Sequence, residues 1–158
     1  MKTRMMMTAR VLVVVAAAAV GGPAGGFDAG LAKTYEQFFA SFEEQQTAKA
    51  LHFMKAEQIV EAIKKGEDMV LLDVRTEREQ SLIGLTYPAA LHMPMNEVFK
   101  PENLAKIPTD KKVVVTCQSG VRCAVIALAL RNVGFDNVYS MKGGLMEMMK
   151  FLNPKTAF

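Results

Sequence analysis

The sequence lacks most of what a membrane protein, a metalloprotein or a nucleic-acid binder requires. Its apolar run Val11–Val20 is ten residues long, well short of the roughly 20 that span a bilayer. Gly21, Gly22 and Pro23 then end that run. There are two histidines, His52 and His92, set 40 residues apart; they form no ligand cluster, and neither is read as a metal ligand. There are two cysteines, Cys117 and Cys123, too few for a disulfide framework. No basic stripe with interleaved aromatics occurs. Lys2, Arg4 and Arg10 precede every acidic residue, the first of which is Asp28, and without them 16 basic residues face 16 acidic ones. A neutral body gives no electrostatic case for nucleic acid.

What is present begins with a leader. A short positive stretch, the apolar run and then "GGPAGG" follow the order of a secretory signal. Residues 1–24 are read as that signal, with Gly22 at the −3 position and cleavage after Ala24; the alternative is an uncleaved anchor. Either way the body is expected to be periplasmic or otherwise exported. No twin-arginine pair or lipobox cysteine is found near the cut. Two cysteines in an exported chain suggest a disulfide, but six residues across a tight loop is an awkward spacing for one.

Residues 25–50 read as an N-terminal helical extension. Leu31, Tyr35, Phe38, Phe39 and Phe42 fall on one helical face. Four aromatics left in water would make a larger apolar patch than a monomer usually exposes, so this face is expected to pack either on its own domain or on a second subunit in a homodimer.

From residue 51 buried runs alternate with amphipathic ones. Strands are expected at 51–54, 69–74, 90–94, 112–117 and 137–141. Helices are expected at "KAEQIVEAIKKGED", with Gly66 as its stop, at "CAVIALALRNV", with Gly134 at its end, and at "LMEMMKFL"; "LAKIP" suggests a helical turn. This alternation predicts an α/β fold, a parallel sheet of about five strands with helices on both faces. The sheet domain spans 51–152, and 153–158 are a tail. Met141, Met146, Met148 and Met149 read as core filling.

The chemistry concentrates in "KVVVTCQSGVRC". Ligand sites of parallel sheets lie at the carboxyl ends of strands, and Cys117 stands at such an end. The following loop leads into a helix N-terminus, whose free N–H groups favour an anion. Gly120 permits a close backbone approach, and Arg122 adds positive charge. Together they favour a thiolate, the reactive form of cysteine. Cys-x4-Arg is one residue shorter than the phosphatase loop Cys-x5-Arg, and Cys123 stands where that longer loop would place its arginine; phosphatase activity is not expected.

With the strand, Cys-Gln-Ser-Gly-Val-Arg and the helix in that order, the sequence resembles the single-domain rhodanese (sulfurtransferase) family. "LLDVRTEREQ", with Asp73, Val74 and Arg75, "YPAALHMP", and "GFDNVYSMKGGL", with Gly143 and Gly144, resemble further family segments. The aromatic extension is similar to that of exported polysulfide-sulfur transferases, which are dimeric. Leu85 and Thr86 depart from the family's Gly-His, and Met148 replaces a tryptophan. The resemblance implies sulfane-sulfur transfer without metal or organic cofactor. Cys117 would take sulfur from polysulfide or thiosulfate as a persulfide, and the loop Gln118, Ser119, Gly120, Val121 and Arg122 would hold it. A thiol, cyanide or sulfite would accept it. Neutral Gln118 and Ser119 tilt the donor toward polysulfide. The alternative is a non-catalytic carrier that presents persulfide to a partner enzyme of sulfur metabolism. Arg75 either points into the same site or pairs with Asp73, Glu77 or Glu79. Cys123 reads first as a packed structural residue and second as a resolving thiol.

Overall fold

The computed structural model describes residues 26–40 and 51–152. They belong to two units that divide after Phe42. In the first, α1 (Ala29–Phe39) starts at Asp28, whose carboxylate accepts the Leu31 N–H at 2.9 Å. Tyr35 and Phe39, one turn apart, stack with centroids 6.2 Å apart. No residue of α1 is buried, and Leu31, Tyr35 and Phe39 are exposed. Phe42 and the expected continuation of this helix to residue 50 lie outside the described residues, as do the signal segment and the tail.

The second unit holds β1 (Phe53–Lys55), α2 (Ala56–Lys64), β2 (Met69–Asp73), α3 (Glu77–Leu82), β3 (Ala90–His92), α4 (Pro101–Leu104), β4 (Lys112–Thr116), α5 (Val121–Asn132), β5 (Val138–Lys142) and α6 (Gly144–Phe151). The strands form one sheet in the order β1-β5-β4-β2-β3, and every pairing is parallel. The central strands β2 and β4 carry Met69–Leu72 and Val113–Val115, all buried. A strand covered on both faces needs such a continuous apolar run, which is why these two were the plainest in the sequence.

The order of the strands positions the site. The chain moves outward in one direction from β2 to β3, and in the other from β4 to β5. Right-handed crossovers that travel in opposite directions put their helices on opposite faces. The carboxyl ends of neighbouring β2 and β4 therefore diverge into α3 and α5, and a crevice opens between them.

The element boundaries shift from the expected ones for local reasons. His52 has φ 49°, so β1 begins only at Phe53. Gly66 and Gly134 stand at positive φ beyond α2 and α5, as expected of helix stops. The turn expected around "LAKIP" forms earlier, because Pro101 takes the first helical position of α4. Helix α3 was not expected at all: "EREQSL" has no apolar period. Its start is nevertheless encoded, since Thr76 and Glu79 form a reciprocal capping box. Met141 and Met148 are core residues, whereas Met146 and Met149 are exposed, which corrects their reading as core filling.

Asp73 and Arg75 close the top of β2. Arg75 is 1% exposed and Asp73 fully buried. The guanidinium gives Nε and Nη2 to the Asp73 carboxylate, at 3.0 and 2.7 Å, and Nη2 also donates to the Ile83 carbonyl at 2.7 Å. The pair thus ties the end of α3 to the end of β2. The reading that aims Arg75 into the cysteine loop is corrected to the alternative, a pair with Asp73: Nε and Nη2 are both bound to Asp73, and Nη2 also to the Ile83 carbonyl. Removing one member of a buried pair leaves the other uncompensated, at a cost of about 3–5 kcal/mol. Arg75→Ala is expected to lose stability of that order in urea denaturation, while donor KM of the folded fraction stays unchanged.

Candidate active site

β4 delivers Cys117 to the crevice, and the loop behind it is held by the start of α6. The Leu145 N–H donates to the Cys117 carbonyl at 2.8 Å, and the Met146 N–H to the Gln118 carbonyl at 3.1 Å. In a trans peptide the N–H points opposite to the carbonyl. Drawing these carbonyls toward α6 turns the Gln118 and Ser119 amides the other way. The approach is close enough to demand glycine. A Cβ on Gly144 would lie 2.5 Å from the Cys117 carbonyl oxygen, and one on Gly120 2.8 Å from the Gly143 nitrogen. Both residues also have positive φ, 59° and 93°.

Gly120 is the N-cap of α5, so Val121, Arg122 and Cys123 are its first three helical residues. The first amides of a helix have no intrahelical acceptor. Here the Cys117 sulfur serves as one: it receives the Gly120 N–H at 3.2 Å and the Cys123 N–H at 3.3 Å. Cys123 Sγ lies 2.9 Å from Cys117 Sγ and donates to it. This contact is the first cause of the lowered pKa of Cys117, about 5. Burial opposes the shift, and the amides of Cys123, Gly120 and Ser119 add to it. The same contact, with burial, pushes the Cys123 thiol well up. The resting pair is thus a Cys117 thiolate with the proton on Cys123.

Arg122 points across the crevice. Its Nη1 and Nη2 donate to the two oxygens of Glu79 at 2.8 and 2.5 Å. Glu79, held also by the Thr76 N–H, has its carboxyl pKa lowered to about 2. The expectation of a free loop cation is corrected: Arg122 is neutralised by a residue of α3. Its part is to join the two walls of the crevice. Among the described residues no group of three or more His, Cys, Asp and Glu side chains could hold a metal ion.

The model of the rhodanese-like domain matches residues 55–150. The chain belongs to the rhodanese-like domain family. Over 93 residues it is 32% identical to a sulfurtransferase of Allochromatium vinosum, covering 58% of this chain and 81% of that one. Over 122 residues it is 29% identical to the probable adenylyltransferase/sulfurtransferase MoeZ of Mycobacterium tuberculosis, covering 76% of this chain but only 30% of that one. Among solved structures, a rhodanese-related protein from Thermoplasma volcanium superposes with a TM-score of 0.55 at 24% identity, covering 65% of this chain and 95% of that one. That likeness is one of fold.

In this rhodanese-like domain the structure gathers Cys117, Gly120 and Cys123 around one sulfur, and Ser119 contributes its amide. Val121 is exposed. Glu79, expected only as one possible partner of Arg75, pairs with Arg122 instead; that role had no signal in the sequence beyond the Thr76–Glu79 capping spacing. The packing reading of Cys123 is incomplete, since the side chain is buried and also touches the nucleophile. His92 is exposed, with Nδ1 3.9 Å from Asp73. His52 stacks on Tyr139. Neither has a part in the loop.

These contacts order the effects of substitution. Thiol alkylation of Cys117 should hold a plateau above its lowered pKa and fall as pH drops through about 5. Cys123→Ala removes the largest cause and should move that inflection upward; below the new pKa, alkylation falls about tenfold for each pH unit. Arg122→Ala, whose charge Glu79 already cancels, should move it less. An Arg122 effect as large as the Cys123 effect would contradict this order. Gly144→Ala should strain the loop by about 1–3 kcal/mol and weaken thiolate stabilisation with it. A circular-dichroism melt and the same alkylation profile would check both.

Proposed function

We propose that this chain is a sulfurtransferase that carries sulfane sulfur on Cys117 as a persulfide. The observation that carries the reading is the Cys117 sulfur, placed at a strand end and receiving two backbone N–H bonds and one S–H bond. Such donors stabilise negative charge on sulfur, and the thiolate is the reactive form. In the first step the thiolate attacks the terminal sulfur of the donor, and the donor leaves with the bonding electron pair. In the second a nucleophilic acceptor attacks the outer sulfur, and the Cys117 thiolate is the leaving group. Catalysis is covalent, and the fixed amides supply the electrostatic stabilisation.

The preferred donor is polysulfide rather than thiosulfate. Gln118 and Ser119 are neutral, and the Arg122 charge is spent on Glu79. The loop thus offers a compact divalent anion no uncompensated side-chain cation. Thiols, cyanide and sulfite are the acceptors proposed. Multiple turnover with such a small acceptor separates this reading from a carrier that hands persulfide only to a partner enzyme. Export and dimerisation are part of the same proposal. Export is supported by the order of residues 1–24, and the dimer by exposed Leu31, Tyr35 and Phe39 on α1.

Cys117→Ser is expected to abolish thiocyanate formation from cyanide with either donor while the fold survives. Substantial residual activity would remove Cys117 as the nucleophile. On a chain starting near Ala24, light scattering at tens of micromolar should give a dimer, and a truncation starting near Lys49 a monomer.

A further inference from the structure

The contact between Cys123 and Cys117 is more than thiolate stabilisation requires. A hydroxyl at position 123 would donate to the thiolate as well, and alanine would fill much of the same space. Only sulfur in that place can form a covalent bond to Cys117. The two sulfurs are 2.9 Å apart, both are free cysteines, and both are fully buried. A disulfide has its sulfurs about 2.05 Å apart, so less than about 1 Å of approach is needed. A buried neighbour already at that distance has a large effective concentration over any thiol that must diffuse in.

Resting on the sulfurtransferase reading, we propose that Cys123 is a resolving thiol, which gives the site a second activity: reduction of sulfane sulfur to sulfide. Starting from the Cys117 persulfide, the Cys123 sulfur attacks Cys117 Sγ. The Cys117–Cys123 bond forms, and the bond from Cys117 to the outer sulfur breaks. The outer sulfur takes that electron pair, and the Cys123 proton goes to the departing sulfur or to solvent. The two cysteine sulfurs are oxidised to the disulfide, and the sulfane sulfur is reduced to sulfide. The in-line path requires the outer sulfur to lie on the far side of Cys117 Sγ from Cys123. A dithiol reductant then opens the disulfide and restores both thiols, at the cost of its own oxidation.

The timing follows from where the charge sits. While Cys117 is a thiolate, its bond to Cys123 holds the proton there. Once Cys117 Sγ is bonded to an outer sulfur, the negative charge moves one atom away. The strongest hold on the Cys123 proton is then lost. Cys123 thus stays inert in the resting site and becomes a nucleophile only after sulfur has been loaded.

The test loads the reduced full chain anaerobically with one equivalent of polysulfide, followed by rapid desalting, intact-mass measurement and sulfide assay. The wild-type chain should release one sulfide per chain more than Cys123→Ser does and end two hydrogens lighter than the reduced protein, and a dithiol should restore its mass. Cys123→Ser, which keeps a hydrogen-bond donor in place, should retain one added sulfur and release no sulfide beyond the shortened donor that loading leaves. A wild-type chain that keeps its added sulfur as Cys123→Ser does would overturn the resolving role alone. If neither chain takes up sulfur, the sulfurtransferase reading falls and this inference with it.

Discussion

The site depends on where two carbonyl groups point. Leu145 and Met146, at the start of α6, take the carbonyls of Cys117 and Gln118. Had those carbonyls faced the crevice, their partial negative charge would oppose a thiolate. Turned away, they leave the amide side of the loop to the sulfur. The same docking satisfies early α6 amides that have no partner within their own helix. One pair of hydrogen bonds thus caps a helix and polarises the loop, and it works only because Gly120 and Gly144 let the two backbones meet. The double glycine and the cysteine loop, 26 residues apart in sequence, act as one part.

The arginines serve the scaffold in the same way. Arg75 would be an obvious anion ligand from its place after β2, yet its Nε and Nη2 are bound to Asp73 and Ile83 inside the protein. Arg122 has the position of an anion clamp but spans the crevice to Glu79. Each pair joins α3 to the strand or loop beside it. The sulfur is therefore stabilised by neutral donors, the Cys123 thiol first and the backbone amides of the loop after it. Such donors cost no counter-charge and tolerate both a thiolate and the more diffuse anion of a persulfide.

Much of this was legible in the chain. The valines of β4, the apolar β2 and the glycines after α2 and α5 obey local rules, so the parallel sheet and the position of Cys117 could be read from them. The resemblance to the rhodanese family rested on the same segments. What could not be read depends on contacts between segments distant in sequence. Glu79 lies 43 residues from Arg122, on a polar helix with no apolar period, and its effect is to cancel a charge that looked free. The start of α5 was expected at Cys123. Its actual start at Val121 makes Cys123 the third helical residue, whose N–H and sulfur both meet the Cys117 sulfur. A shift of two residues separates a packed cysteine from a paired one.

In the mechanism proposed above, that pairing sets two reactions in competition. A depressed thiol pKa weakens a nucleophile somewhat, and it makes a better leaving group. The contacts on Cys117 therefore favour the half-reaction in which an acceptor takes the outer sulfur and Cys117 departs as thiolate. Attack by Cys123 breaks the same bond with the opposite polarity, so that the outer sulfur departs. An acceptor must reach the outer sulfur from solvent, whereas Cys123 is already in contact with the inner one. With acceptor abundant, the stabilised thiolate makes transfer the faster exit. With acceptor scarce, the persulfide persists long enough for Cys123 to discharge it as sulfide. The Sγ–Sγ contact thereby lowers the barrier for the first exit and provides the second.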